Sequence, residues 1–119
     1  MKILLADDSQ FMRTILKVML EKAFPGTEFM QASTGDEAIA HWRDFHPDLL
    51  LLDLVMPGKG GIDVLKEVGS VRTGKIIVIS ALGQDKVMEE AKQLGAVAFI
   101  VKPFDEKKVL EVIRSVTSG

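Results

Sequence analysis

The chain has no cysteine, which excludes disulfides and thiolate-bound metals as supports of its fold. Such a composition fits a reducing compartment. Neither sign of charge is in large excess: the net charge is −2 and the pI about 5.7. No block of Lys and Arg forms a basic arm, so a nucleic acid partner has no electrostatic footing. Long hydrophobic runs are also missing. No segment reaches the length of a membrane span. The opening "MKILLADD" meets two acids before a signal-peptide core could form. Together these absences predict a soluble cytoplasmic domain with no membrane and no nucleic acid partner.

What the chain does contain is an ordinary globular mixture, 47% hydrophobic and 27% charged. Its 119 residues are enough for one domain, 1–119, with a real core, and too few for two. Five short apolar runs punctuate it: Lys2–Ala6, Glu28–Ala32, Asp48–Asp53, Lys75–Ala81 and Ala98–Lys102. All but the second are nearly continuous in apolar residues, the pattern of strands covered on both faces. The second reads as an edge strand.

Between the runs lie segments with helical spacing. Met12, Ile15, Leu16, Met19 and Ala23 share a face, and Phe24-Pro25-Gly26 stops that helix. Thr34 to Glu37 is a capping box that opens a second helix carrying Ala38, Ile39, Trp42 and Phe45. Ile62, Leu65 and Val68 mark a third, closed by Gly69. Val87, Met88, Ala91 and Leu94 mark a fourth, closed by Gly95. Asp105 can cap the last helix, which carries Val109, Val112, Ile113 and Val116. Five strand–helix units with right-handed crossovers give an α/β fold with a parallel sheet between helices. Five units cannot close an eight-stranded barrel. An open doubly wound (βα)5 sheet in flavodoxin-like order 2-1-3-4-5 is the economical solution.

In such a sheet every strand ends along one edge, and ligands bind there beside the switch in strand order. The residues reaching that edge are Asp7 and Asp8, then Asp53, Ser80 and Lys102. Taken singly, several have plain explanations. Asp7 or Asp8 could be an acid favoured at a helix amino end, Ser80 a turn residue and Lys102 a solvated lysine. Asp53 is harder to dismiss, because a carboxylate ending the run Leu49-Leu50-Leu51-Leu52 is costly to bury alone. Five separate coincidences at one edge make the plain explanation a poor one.

Clustered carboxylates need a cation to stay ionised together. Oxygen ligands without His or Cys select Mg²⁺, with Mn²⁺ as the alternative, over zinc. A lysine and a hydroxyl beside them could hold phosphoryl oxygens. Asp53, placed centrally, could itself be the nucleophile.

"LLADDS", "LLLLDLVMPGKGG", "VISA" and "FIVKPF" resemble the signature of two-component response-regulator receiver domains, from Lys2 to about Val116. The resemblance implies that Asp53 is the phosphoacceptor, taking its phosphoryl group from a histidine on a sensor kinase. It implies Mg²⁺ binding by Asp8, by Asp7 directly or through water, by Asp53, and by the Val55 backbone carbonyl. Ser80 is then the switch hydroxyl, and Lys102 pairs with Asp53 before phosphorylation. Phe99 falls at the switch aromatic, although a core phenylalanine is a serious competing reading. Having no hydroxyl, Phe99 rules out a hydrogen-bonded form of that switch. The fourth helix, fifth strand and fifth helix would form the output face. A cis bond before Pro103 is implied as well.

"DDSQFMR" and "ISALGQ" are most similar to single-domain chemotaxis regulators. That likeness implies a chemotaxis-type sensor histidine kinase upstream, a target such as the flagellar motor switch, and a monomer. It also implies a signalling phosphoacceptor rather than a turnover enzyme. The alternatives are a receiver from a larger regulator, a different phosphorelay, or a Mg²⁺-dependent aspartyl-phosphate phosphatase. A flavodoxin-like nucleotide binder is weaker, since "GKGGID" lacks the third glycine of the dinucleotide fingerprint.

Three departures from the family pattern stand out. The loop reads Gly58-Lys59-Gly60-Gly61, where an apolar residue and then Asp or Asn usually precede the last glycine. Lys59 thus brings a cation near Asp53, best read as a solvated turn lysine, and the glycines are expected to loosen the loop. Val55 and Leu82 lie two residues beyond Asp53 and Ser80, and two apolar side chains there predict slow self-hydrolysis. His41 and His46 lack partners at metal spacing and read as surface residues. Trp42 is expected against the sheet, and the methionines as core gap-fillers.

Overall fold

The computed structural model describes residues 1–70 and 73–117. Five strands alternate with five helices: β1 (Lys2–Ala6), α1 (Gln10–Ala23), β2 (Glu28–Ala32), α2 (Gly35–Phe45) and β3 (Leu49–Leu52) come first. They are followed by α3 (Gly61–Val68), β4 (Lys75–Ser80), α4 (Asp85–Gln93), β5 (Ala98–Val101) and α5 (Glu106–Thr117). All the strand pairs are parallel, in the order β2-β1-β3-β4-β5. This is the doubly wound sheet the periodicity implied.

The pleat separates two cores, because neighbouring strand residues face opposite ways. In the register, Leu4 stands beside Leu50 and Leu50 beside Ile76. These three, with Ala6, Leu52 and Val78, meet Ala38, Ile39 and Trp42 of α2, Val64, Leu65 and Val68 of α3, and Ala91 of α4. On the opposite face Ile3, Leu5, Leu49, Leu51, Ile77 and Ile79 meet Leu16, Met19 and Leu20 of α1 and Val109 and Ile113 of α5. The leucines of β3 are buried on both sides of the sheet, as an apolar run without alternation requires. β2 lies at the edge, and only Ala32 of it is buried.

Three strands are shorter than the apolar runs that announce them. β3, β4 and β5 stop at Leu52, Ser80 and Val101, not at Asp53, Ala81 and Lys102. The ladder still reaches the next amides, since Asp53 N–H donates to Ala6 O at 2.9 Å and Lys102 N–H to Ser80 O at 2.9 Å. Each chain turns away directly after that last bond, leaving the polar side chain at the rim.

The starts of α1, α2 and α5 are secured by side chains. Ser9 Oγ accepts from Met12 N–H at 3.2 Å, Thr34 Oγ1 from Glu37 N–H at 3.2 Å, and Asp105 Oδ1 from Lys108 N–H at 2.7 Å. The capping box at α2 closes one residue earlier than its pattern implies. Glu37 Oε1 accepts from Ser33 N–H at 2.9 Å and Ser33 Oγ–H at 2.7 Å. These bonds from Ser33 hold the Glu37 carboxyl below its usual pKa. His46 is the left-handed residue that ends α2, at φ 53°. Trp42 packs in the α2 side of the core as expected, with its indole N–H unpartnered among the described residues.

Candidate functional site

The C-terminal edge of the sheet gathers the polar residues. Asp7 follows β1, and its N–H donates to Ala32 O at 3.0 Å, which carries the β1–β2 ladder one residue further. Asp53 follows β3 and Ser80 ends β4, while Lys102 follows β5. Asp7 and Asp53 are buried, at 4% and 7% exposure, and Ser80 is fully buried; Asp8 is exposed. Carboxylate oxygens from Asp7, Asp8 and Asp53 lie within 4.8 Å of one another. The strands therefore place all five edge residues named from sequence in one region.

Lys102 binds this cluster twice. Its Nζ lies 2.7 Å from Asp7 Oδ2 and 3.0 Å from Asp53 Oδ2. Burial alone would lower the lysine pKa, but the hydrogen bonds it donates to Asp7 and Asp53, aided by their charges, outweigh it and raise the pKa. The pairing with Asp53 was anticipated; the shorter one with Asp7 was not. The Lys102–Pro103 peptide bond is cis.

The second carboxylate oxygen of Asp53 and of Asp7 is held by backbone. Asp53 Oδ1 accepts from Val55 N–H at 3.1 Å, and Asp7 Oδ1 accepts from Ser9 N–H at 2.9 Å. Ser80 Oγ accepts from Leu82 N–H at 3.3 Å. The Val55 and Leu82 side chains reach solvent, at 55% and 37% exposure. Phe99 is partly buried against the α2–α3–α4 side of the core, a position open to both readings of it.

Lys59 is exposed in the loop after Asp53, as expected of a turn lysine, and it pairs at the surface: its Nζ lies 2.8 Å from Glu67 and 3.8 Å from Asp36. Glu67 in turn pairs with Arg43 at 3.4 Å. Two glycines bring backbone close at this loop. A Cβ on Gly61 would sit 2.4 Å from Asp53 O, and one on Gly35 would sit 2.0 Å from Lys59 O. Both glycines permit close backbone packing that pins the loop.

Two residues at the site, Arg13 and Ser9, were not named from sequence. Arg13 Nη1 donates to the Asp7 carbonyl at 2.6 Å, and its Nε donates to Gln31 Oε1 at 2.9 Å. Ser9 caps α1 while its amide holds Asp7. Ser9 was findable from its place just before a helical repeat. Arg13 was not, because a backbone carbonyl partner leaves no trace in residue identities.

A buried aspartate, a lysine bound to it and an acid pair at the C-terminal edge of a 2-1-3-4-5 sheet define a class. The family model described as response regulator receiver domain matches residues 3–114, and the chain belongs to that family. Among its relatives is the chemotaxis protein CheY of Thermotoga maritima, 40% identical over 118 residues, spanning 98% of this chain and 97% of that protein. A second is the transcriptional regulatory protein ResD of Bacillus subtilis, 36% identical over 109 residues, covering 92% of this chain but 45% of that protein. Among solved structures, a CheX–CheY–BeF3–Mg complex from Borrelia burgdorferi superposes with a TM-score of 0.90 at 31% identity. The match covers 97% of this chain and 87% of that one.

The site fits a hard divalent cation. Its donors are carboxylate oxygens, with neither His nor Cys among them. Asp8 is exposed, and its carboxylate makes no hydrogen bond among the described residues, so its oxygens are free for a ligand.

Proposed function

We propose that this receiver is a phosphorylation-gated signalling module in which Asp53 accepts the phosphoryl group. The observation carrying this reading is Asp53 itself, a buried carboxylate ending an all-leucine strand, bound by Lys102 and flanked by Asp7 and Asp8. A carboxylate oxygen of Asp53 attacks phosphorus on a kinase phosphohistidine. The new P–O bond forms as the P–N bond breaks, and the leaving imidazole takes a proton from water. Asp7, Asp8, Asp53 and the Val55 carbonyl would hold Mg²⁺, or Mn²⁺ in its place. The ion would supply charge neutralisation for the transferring group. Lys102 holds Asp53 beforehand and can follow the phosphoryl oxygens afterwards. Ser80, with its hydroxyl at the same edge, offers them a donor.

Because the acceptor is the protein's own side chain, the chain is a signalling phosphoacceptor that assists its own phosphorylation and dephosphorylation, not a turnover enzyme. Likeness to CheY along nearly its whole length supports a cytoplasmic, monomeric chemotaxis regulator. It would be served by a chemotaxis-type sensor histidine kinase and act on a target such as the flagellar motor switch. Phe99 and the α4–β5–α5 face would carry the signal to that target. The partial match to ResD favours one second reading, a receiver within a larger regulator. An aspartyl-phosphate phosphatase is disfavoured, since Val55 stands two residues after the nucleophile where such enzymes place an acid.

Incubation with Mg²⁺ and a small phosphodonor such as acetyl phosphate tests the reading. Wild type should acquire a hydroxylamine-labile phosphoryl group, and Asp53→Asn should not. No labile label on wild type, with or without Mg²⁺, would refute it.

A further inference from the structure

Asp7 has every polar atom engaged. Its amide bonds to Ala32 O, its carbonyl accepts from Arg13, and its carboxylate oxygens accept from Ser9 N–H and from Lys102. Asp8 is exposed, and its carboxylate makes no hydrogen bond among the described residues. Among the described residues, the backbone that carries it is what aims it. The Asp7 carbonyl lies in the planar peptide unit that ends at the Asp8 Cα. Whatever fixes that carbonyl also fixes the N–Cα bond of Asp8, leaving only rotation about that bond to turn the side chain's departure.

Arg13 is what fixes it. The guanidinium is planar and rigid, with donors pointing along set directions. One donor meets Asp7 O at 2.6 Å and a second meets Gln31 Oε1 at 2.9 Å. Gln31 lies on β2, level with Leu5 of β1 in the sheet register, so the fork braces the β1–α1 turn against the neighbouring strand. Arg13 also sits in the first turn of α1, where its own N–H donates to Ser9 O at 3.1 Å. A lysine at this position would keep the charge but not the planar fork whose donors point along fixed directions.

We propose that Arg13 is a positioning residue for the cation site: acting through the Asp7 carbonyl, it holds the Asp7–Asp8 peptide so that Asp8 faces Asp7 and Asp53. The proposal rests on the reading that these carboxylates bind Mg²⁺. Its sign separates it from simple electrostatics. Removing a positive charge beside a cation site should, by charge alone, tighten cation binding. Loss of positioning should weaken it.

The experiment is calorimetric titration of the protein with Mg²⁺, at a temperature where circular dichroism shows each variant folded. Arg13→Met keeps much of the apolar stem and removes the fork, and should raise the Mg²⁺ Kd by about tenfold, the scale of lost outer-shell support. Arg13→Lys restores the charge without the fork and should remain weakened. It carries the test alone if Arg13→Met does not fold. Gln31→Met, which frees only the far end of the fork, should give a smaller loss. A merely structural role would lower the melting temperature and leave the Kd of the folded protein unchanged. Unchanged or tighter binding by Arg13→Met, or wild-type affinity in Arg13→Lys, overturns the proposal while leaving the metal reading standing. Failure of wild type to bind Mg²⁺ at all overturns both.

Discussion

A carboxylate at the end of a leucine strand would be costly by itself, and each oxygen of Asp53 shows how the cost is offset. One oxygen takes the Val55 amide and the other takes Lys102. That same amide belongs to a residue whose side chain points outward, and Leu82 stands in the matching place beside Ser80. Apolar groups there cannot orient a water toward an acyl phosphate, whereas an amide and a carboxylate could. Val55→Asn combined with Leu82→Glu should therefore speed phosphoryl loss from the protein, followed after removing phosphodonor; an unchanged rate would show that these positions do not govern water access. Asp7, Asp8, Asp53, Ser80 and Lys102 were legible in sequence because each polar residue interrupts or ends an apolar run. The Lys102–Asp7 pair and the Arg13 fork were not, since their partners are set by how strand ends sit together in space.

At the scale of elements, the amino end of α2 does two jobs. Gly35 lets the carbonyl of Lys59 press against it, so that the loop following Asp53 leans on α2. Gly35→Ala would place a methyl 2.0 Å from that oxygen, and backbone must move. We expect a loss of about 1–3 kcal/mol in urea unfolding, the usual cost of forcing extra volume into a packed site. Glu37, two residues on, closes the capping box onto Ser33. Its folded-state pKa lies below the usual 4.5 because it accepts those hydrogen bonds. The stabilisation is therefore fully present above pH 4.5 and lost as pH falls through the lowered value. Melting temperatures of wild type and Glu37→Gln should differ at neutral pH and converge in acid; a constant gap would place the effect elsewhere. The box itself was visible from Thr34 and Glu37, but the amide donating to Glu37 moved from Thr34 to Ser33. A glutamate side chain reaches either amide, and spacing alone cannot choose between them.

Across the whole molecule, element order and strand order were both readable, because continuous apolar runs alternating with amphipathic segments admit few topologies. The strand ends were less so. Apolar runs overrun the strands by one residue at Asp53, Ala81 and Lys102, and at Asp53 and Lys102 the amide still completes the ladder while the side chain turns to the rim. Those overruns mark the functional edge. Two cores, one beneath α1 and α5 and the other beneath α2, α3 and α4, fix five strands in register and bring distant residues to one place. The chemistry then depends on a single acceptor. After phosphorylation by a small phosphodonor with Mg²⁺, reduction with borohydride converts an aspartyl phosphate to homoserine, and peptide mass spectrometry locates it. One homoserine at position 53, present with Mg²⁺ and lost when it is chelated, is the result predicted; homoserine at position 7 or 8, or phosphate retained on Ser80, would contradict the account.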